Sequence, residues 1–236
     1  MGNKTYLGKI MMNLVFLHGL SGSKNNFEYL EKEFSGYKVI SFDLLGFGEE
    51  AKPIINYTPD DFVRFIEQKL QLTANDGNKY ILVGHSLGAA LAKDVAIKYP
   101  QKITKIFLLG YPFKLESKMP THNGSLKRII CEMKIAFRFI IWPLVFLFAR
   151  KYRKAYLDYF KSTSRSECLT MQNTVLCDNK ERLFAISNKV VFINGRSDRR
   201  VDLEFAKKFK HFIIKSMGHS FFNHEHQIAR ITKDNI

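Results

Sequence analysis

Short apolar runs bounded by turns alternate with amphipathic stretches over the first 110 residues, and that rhythm constrains the chain more than any other feature. The runs at 13–18, 37–43, 79–84 and 103–109 are rich in β-branched and aromatic residues and open into turns, as buried parallel strands do. Between them, 25–34, 58–72 and 87–99 carry apolar residues at three- and four-residue spacing, the mark of crossover helices. Thr58-Pro59-Asp60-Asp61 reads as a helix start, with proline and acids in the first turn. After residue 188 the pattern resumes, with strands at 189–193 and 212–216, a helix at 203–209 and a closing helix from about 223. This is the pattern of an α/β fold, a mostly parallel sheet flanked by helices.

The interval 111–188 breaks the rhythm, with no convincing strand and a basic, aromatic-rich helical tract over 125–160. It is read as a helical cap inserted after the fourth core strand, leaving 1–110 and 189–236 as the core. The interval holds 14 Lys and Arg against 6 Asp and Glu, so +8 of the chain's net +15 falls within it.

Gly84-His85-Ser86-Leu87-Gly88 is a complete G-x-S-x-G standing between a strand and a helix, where a nucleophile elbow belongs. A sharp strand-to-helix turn needs glycines on either side, and it lifts the serine hydroxyl clear of the sheet. Ser86 is therefore the candidate nucleophile. A serine hydroxyl needs a base within hydrogen-bond reach and a third group to orient that base. In the chain order nucleophile, acid, histidine, the acid follows a late strand and the histidine the last one. Asp198, in the turn after the run ending Asn194-Gly195, and His219, after Met217-Gly218, fill those places. Asp202 lies inside the next helix's first turn, and Glu116 is the reserve acid after the fourth strand. His224 and His226 lie on different faces of a helix and make a poor metal pair. His122 and His211 stand in no motif.

Acyl transfer also needs donors for a developing oxyanion, and backbone N–H groups supply them in this architecture. Leu87, after the nucleophile, provides one, and the bend in His18-Gly19-Leu20-Ser21-Gly22 makes Leu20 the second candidate, with His18 in a structural role.

With these residues placed, the chain resembles the α/β-hydrolase superfamily, specifically its small capped serine hydrolases of esterase and thioesterase type. The resemblance rests on His18-Gly19-Leu20, Asp43-Leu44-Leu45-Gly46-Phe47-Gly48, the Ser86 elbow, and Asp198 with His219, and it spans residues 13–110 and 189–222. Leu45 replaces a usual proline, and Glu49-Glu50 stands where a small hydroxyl residue is usual. Only residues 6–12 precede the first strong strand, so the antiparallel hairpin that often begins this fold is abbreviated or absent. The resemblance implies hydrolysis of a carboxylic ester or thioester through an acyl-enzyme, with no metal and no organic cofactor. Acyl transfer and C–C bond hydrolysis use the same three residues, and a noncatalytic ligand-binding protein on the same scaffold is the rival class.

Phe137, Trp142 and Phe146, with neighbouring Phe139 and Phe148, point to a small-molecule substrate with an apolar acyl or aromatic group, or equally to a plain lid core. The surrounding Lys127, Arg128, Lys134, Arg138 and the run at 150–154 admit three readings: a solvated face, docking of an acidic carrier, coenzyme A or anionic substrate, or a basic helix on a membrane surface. No nucleic-acid module accompanies the charge. The apolar run 139–149 is interrupted by Pro143 and is too short to span a bilayer, which takes about 20 residues. The N-terminus shows neither a signal peptide nor a myristoylation motif. Cys131, Cys168 and Cys177 are scattered and form no disulfide framework, so a cytoplasmic location is expected.

Overall fold

The computed structural model describes residues 13–112 and 151–236. Glu116, His122, Lys127, Arg128, Cys131, Lys134, Phe137, Arg138, Phe139, Trp142, Phe146, Phe148 and Arg150, and the segment before the first strand, lie outside the described residues.

Strands β1 (Asn13–Leu17), β2 (Lys38–Ser41), β3 (Tyr80–His85), β4 (Ile103–Leu109), β5 (Val190–Gly195) and β6 (Lys210–Ile214) form one sheet in the order β2-β1-β3-β4-β5-β6. Every neighbouring pair runs parallel. Successive side chains point to opposite faces, so each central strand feeds two cores. Val15, Leu17, Leu82, Ile106, Leu108 and Phe192 face one side, and Leu14, Phe16, Ile81, Val83, Phe107 and Ile193 the other. Burial on both faces explains why these strands read as continuous apolar runs. The edge strands β2 and β6 are the more exposed.

Helices α2 (Pro59–Leu70) and α3 (Leu87–Lys98) cover the first face through Phe62, Ile66, Leu91 and Val95. The short α1 (Glu28–Lys32) covers the second through Leu30. The chain thus leaves β1 toward one face and returns from β2 across the other. The strand order reverses between β1 and β3, and the crevice at the carboxyl ends of such strands is where open α/β sheets bind ligands.

Three elements differ from the sequence expectation. Residues 25–34 divide into a 3₁₀ turn, Lys24–Phe27, and α1, because Ser23 Oγ accepts from Asn25 N at 3.1 Å and closes a tight turn first. The helix expected at 203–209 is only α6 (Leu203–Ala206), and the last strand begins at Lys210 instead of 212. Phe209 is the reason for both. Its ring packs on Phe192 and Phe205, with centroids 5.4 and 5.5 Å away, and this turns the chain into the sheet early.

Between β4 and β5 the described stretch carries helices and turns: α4 (Arg153–Asp158), α5 (Ser164–Thr170), a π turn at Met171–Val175 and a 3₁₀ segment at Lys180–Lys189. A capping box at Thr163 starts α5. A buried ionic cluster ties this stretch to α3. Lys93, only 1% exposed, reaches Asp178 at 2.5 Å and Asp94 at 3.2 Å, while Arg182 meets Asp94 at 3.0 Å and Tyr111 donates to Asp178. The closing helix α7 (Glu225–Lys233) packs Ile228 and Ala229 beside α1.

Candidate active site

Ser86 follows β3 and precedes α3 with φ 52° and ψ −112°, a positive-φ conformation that a non-glycine residue adopts at a cost of about 1–3 kcal/mol. The surroundings hold it there. Ser86 N donates to Leu109 O at 2.9 Å, and Ser86 O accepts from Ala89 N and Ala90 N at 3.0 and 3.2 Å. The flanking glycines are sterically required: a Cβ on Gly84 would lie 2.2 Å from Gly88 O, and one on Gly88 would lie 2.0 Å from Leu17 O.

The structure brings the three predicted side chains together although they come from three separate loops. Ser86 Oγ lies 3.0 Å from His219 Nε2, and His219 Nδ1 lies 2.7 Å from Asp198 Oδ2. The loops after β5 and β6 are joined by Ser197 N donating to Met217 O at 3.2 Å, which sets Asp198 beside His219. Burial pushes the Asp198 carboxyl up, but the hydrogen bonds from His219 and from the Arg200 N–H (2.9 Å) outweigh it and hold it below its ordinary value. An ionised carboxylate there accepts a hydrogen bond from Nδ1–H, which fixes the tautomer and leaves Nε2 as an acceptor facing the serine hydroxyl. A hydroxyl so placed can pass its proton to the imidazole as it attacks an electrophile.

The loop after β1 lies against this chain of bonds, since a Cβ on Gly19 would be 3.3 Å from Ser86 Cβ. Leu20 is therefore in the loop beside Ser86, and Leu87 is the first residue of α3, whose leading N–H groups have no intrahelical acceptor. His18 is fully buried, 2.8 Å from Gly19 O through Nδ1, while its Nε2 accepts from Leu44 N at 2.8 Å. Burial lowers its pKa to about 4, so the ring is neutral and links the first loop to the second. Asp43 reinforces the link by accepting from Lys24 N and Glu49 N at 2.7 and 2.8 Å. The unusual Glu49-Glu50 pair is also engaged: Glu49 meets Lys161, and Glu50 meets Lys69 at 2.7 Å.

One functional candidate escaped the sequence reading. His85 Nε2 lies 2.8 Å from the main-chain O of His219, and its ring centroid is 5.1 Å from the His219 ring. Burial, aided by the nearby His219, lowers its pKa to about 3, so the neutral ring donates this bond. Its only sequence signal was its place inside the G-x-S-x-G.

The other candidates lie elsewhere. Asp202 caps α6 by accepting from Phe205 N at 3.1 Å. His211 sits 3.2 Å from Phe209 O, His226 pairs with Glu33 at 3.2 Å, and His224 precedes α7. Among the described residues, no group of three His, Cys, Asp or Glu could hold a metal ion, and no helix is long and apolar enough to cross a membrane. Part of the basic run is paired, with Lys151 3.5 Å from Glu225 and Lys154 3.8 Å from Glu28. Cys177 is free and exposed, but Cys168 is disulfide-bonded.

Residues 13–128 match the family model described as alpha/beta hydrolase fold. Lipase 3 of Moraxella sp. (strain TA144) is 33% identical over 122 residues, covering 48% of this chain and 38% of the lipase. Probable lysophospholipase BODYGUARD 5 of Arabidopsis thaliana is 26% identical over 169 residues, covering 68% of this chain and 35% of that protein. The chain thus spans well under half the length of these curated relatives. Among solved structures, an esterase from Exiguobacterium antarcticum superimposes with a TM-score of 0.70 at 16% identity, covering 94% of this chain and 91% of the esterase. A bromoperoxidase from Bacillus anthracis gives 0.72 at 20% identity, with 94% and 90% covered. The parallel sheet, the elbow after β3, the family model matched over 13–128 and these superpositions agree that the chain has the α/β-hydrolase fold.

Proposed function

We propose that the protein is a serine hydrolase that cleaves a carboxylic ester or thioester through an acyl-enzyme. The observation that carries this reading is the unbroken chain from Ser86 Oγ to His219 Nε2 at 3.0 Å and from His219 Nδ1 to Asp198 Oδ2 at 2.7 Å. Ser86 attacks the carbonyl carbon while its proton passes to His219. Asp198 orients the imidazole and stabilises the imidazolium. The Leu20 and Leu87 N–H groups hold the oxyanion. The tetrahedral intermediate then collapses as His219 protonates the leaving group, and water repeats the sequence to release the acid. This chemistry requires no metal and no organic cofactor.

The names of the relatives, lipase and lysophospholipase, favour an apolar acyl group. The composition around Phe137, Trp142 and Phe146 favours it too. An acidic carrier or anionic surface is the partner class that the basic 111–188 interval would suit. Acyl transfer uses the same residues, and one relative 36% identical over 110 residues is named 1-acylglycerol-3-phosphate O-acyltransferase ABHD5.

A fluorophosphonate probe is expected to label the protein stoichiometrically and to leave Ser86→Ala unlabelled. Equal labelling of that variant would sink the assignment. A series of p-nitrophenyl esters of increasing chain length, with and without alcohol acceptors, separates hydrolysis from transfer. Tight binding of such esters without turnover or labelling would instead favour a noncatalytic binding protein.

A further inference from the structure

Helix α4 touches two loops that the sheet itself keeps apart. At its far end Asp158, 4% exposed, accepts from Ser23 Oγ at 2.7 Å and Asn25 Nδ2 at 2.5 Å, both in the segment that follows Leu20. Lys161, 2.7 Å away, balances its charge. At the near end the Tyr152 hydroxyl accepts from Asn223 N at 2.6 Å and donates toward Glu225 Oε1 at 2.5 Å, with Asn223 Oδ1 at 3.0 Å. Its ring stacks on Phe222 with centroids 4.1 Å apart and planes 9° from parallel. Asn223 and Phe222 belong to the segment that follows His219, and Asn223 has a φ of 67°, so the loop adopts an unusual backbone where Tyr152 grips it.

We propose that α4 with Tyr152 is a brace joining the loop that carries Leu20 to the loop that carries His219, making Asp158 and Tyr152 positioning residues for the hydrolysis. The proposal rests on the reading of those loops given above. A helix is stiff along its axis and rises about 1.5 Å per residue, so fixing both of its ends fixes the separation of what each end holds. Neither side chain touches the reacting atoms. Each sits at one end of α4 and binds one loop through a buried polar contact, which is costly to leave unmade. Productive geometry in such a site tolerates displacements of only about 0.5 Å.

Native-state hydrogen exchange on the full chain tests the brace without relying on activity. Asp158→Asn should speed exchange in residues 219–224, at the opposite end of the helix, as well as in 19–25, and Tyr152→Phe should do the reverse. Exchange that rises only in the loop nearest each substitution would overturn the brace. The kinetic arm uses p-nitrophenyl acetate, with active sites counted by fluorophosphonate. Each single variant should lower kcat per labelled site by about tenfold, leaving KM within about twofold. The double variant should be no slower than the worse single, since either break frees the helix. Unchanged kcat per site, or effects that multiply, would overturn the positioning role. A parent protein that neither labels nor turns over would defeat the hydrolase reading while leaving the exchange result to judge the brace.

Discussion

His85 and His219 are linked through the backbone of one and the ring of the other: Nε2 of His85 lies 2.8 Å from the carbonyl oxygen of His219. The residue that precedes Ser86 in the chain therefore also steadies the residue proposed as its base. Replacing His85 by Phe keeps a ring against Phe221 but removes the donor. One neutral hydrogen bond is worth about 0.5–1.5 kcal/mol, so kcat should fall roughly two- to tenfold with little change in KM. A raised KM at constant kcat would show that His85 acts on ester binding instead.

Asp198→Asn preserves shape but cannot hold His219 in the tautomer that leaves Nε2 open toward Ser86. Turnover of p-nitrophenyl esters should drop by several orders of magnitude, on the order of 10⁴ if the site follows serine-protease behaviour. Retained activity would transfer the acid's role to Glu116.

Acid should weaken the fold before it protonates most carboxylates. His18 and His85 titrate near 4 and 3 in the folded protein against 6.5 ordinarily, because burial disfavours their charged forms. Below about pH 6.5 the unfolded chain binds protons that the folded chain does not, so their contribution is complete above that value and declines toward pH 4. The slope approaches about 1.4 kcal/mol per pH unit for each ring. Urea midpoints measured between neutral pH and about pH 5 should fall, and fall less in His18→Asn. A flat profile would contradict the buried, neutral rings.

Lys93→Met should leave Asp94 and Asp178 facing each other without their shared cation. Breaking a buried charge cluster from one side typically costs about 3–5 kcal/mol. Thermal unfolding should register a large loss, and Lys93→Met combined with Asp178→Asn should recover part of it. Equal stability of the single variant and the parent would mean that the cluster is hydrated and weak.

The central strands and the elbow were legible because their signals are local: apolar runs buried on both faces, and glycines at positions where a Cβ would strike backbone. Asp198 and His219 were legible because each follows a strand and a glycine turn. The early start of β6 was not, since it depends on Phe209 meeting Phe192 from another strand. His85 was missed because its partner is a main-chain carbonyl 134 residues away. Asp158 was missed for the same reason, with Ser23 135 residues distant. Contacts of that kind leave no periodicity in either segment.

The ladder between β4 and β5 has a consequence for how such a protein can diverge. Ile106 to Leu109 pair directly with Val190 to Ile193, so the chain departs and returns through two strands already fastened to each other. The entropy of closing an excursion grows only slowly with its length, about 0.6 kcal/mol for each doubling. The excursion can therefore be lengthened, shortened or rewritten while Ser86 and Asp198 keep their spacing. Under the proposed hydrolase reading, acyl specificity and chemistry would lie on separately mutable stretches of one polypeptide, with Tyr152 and Asp158 as contacts between them.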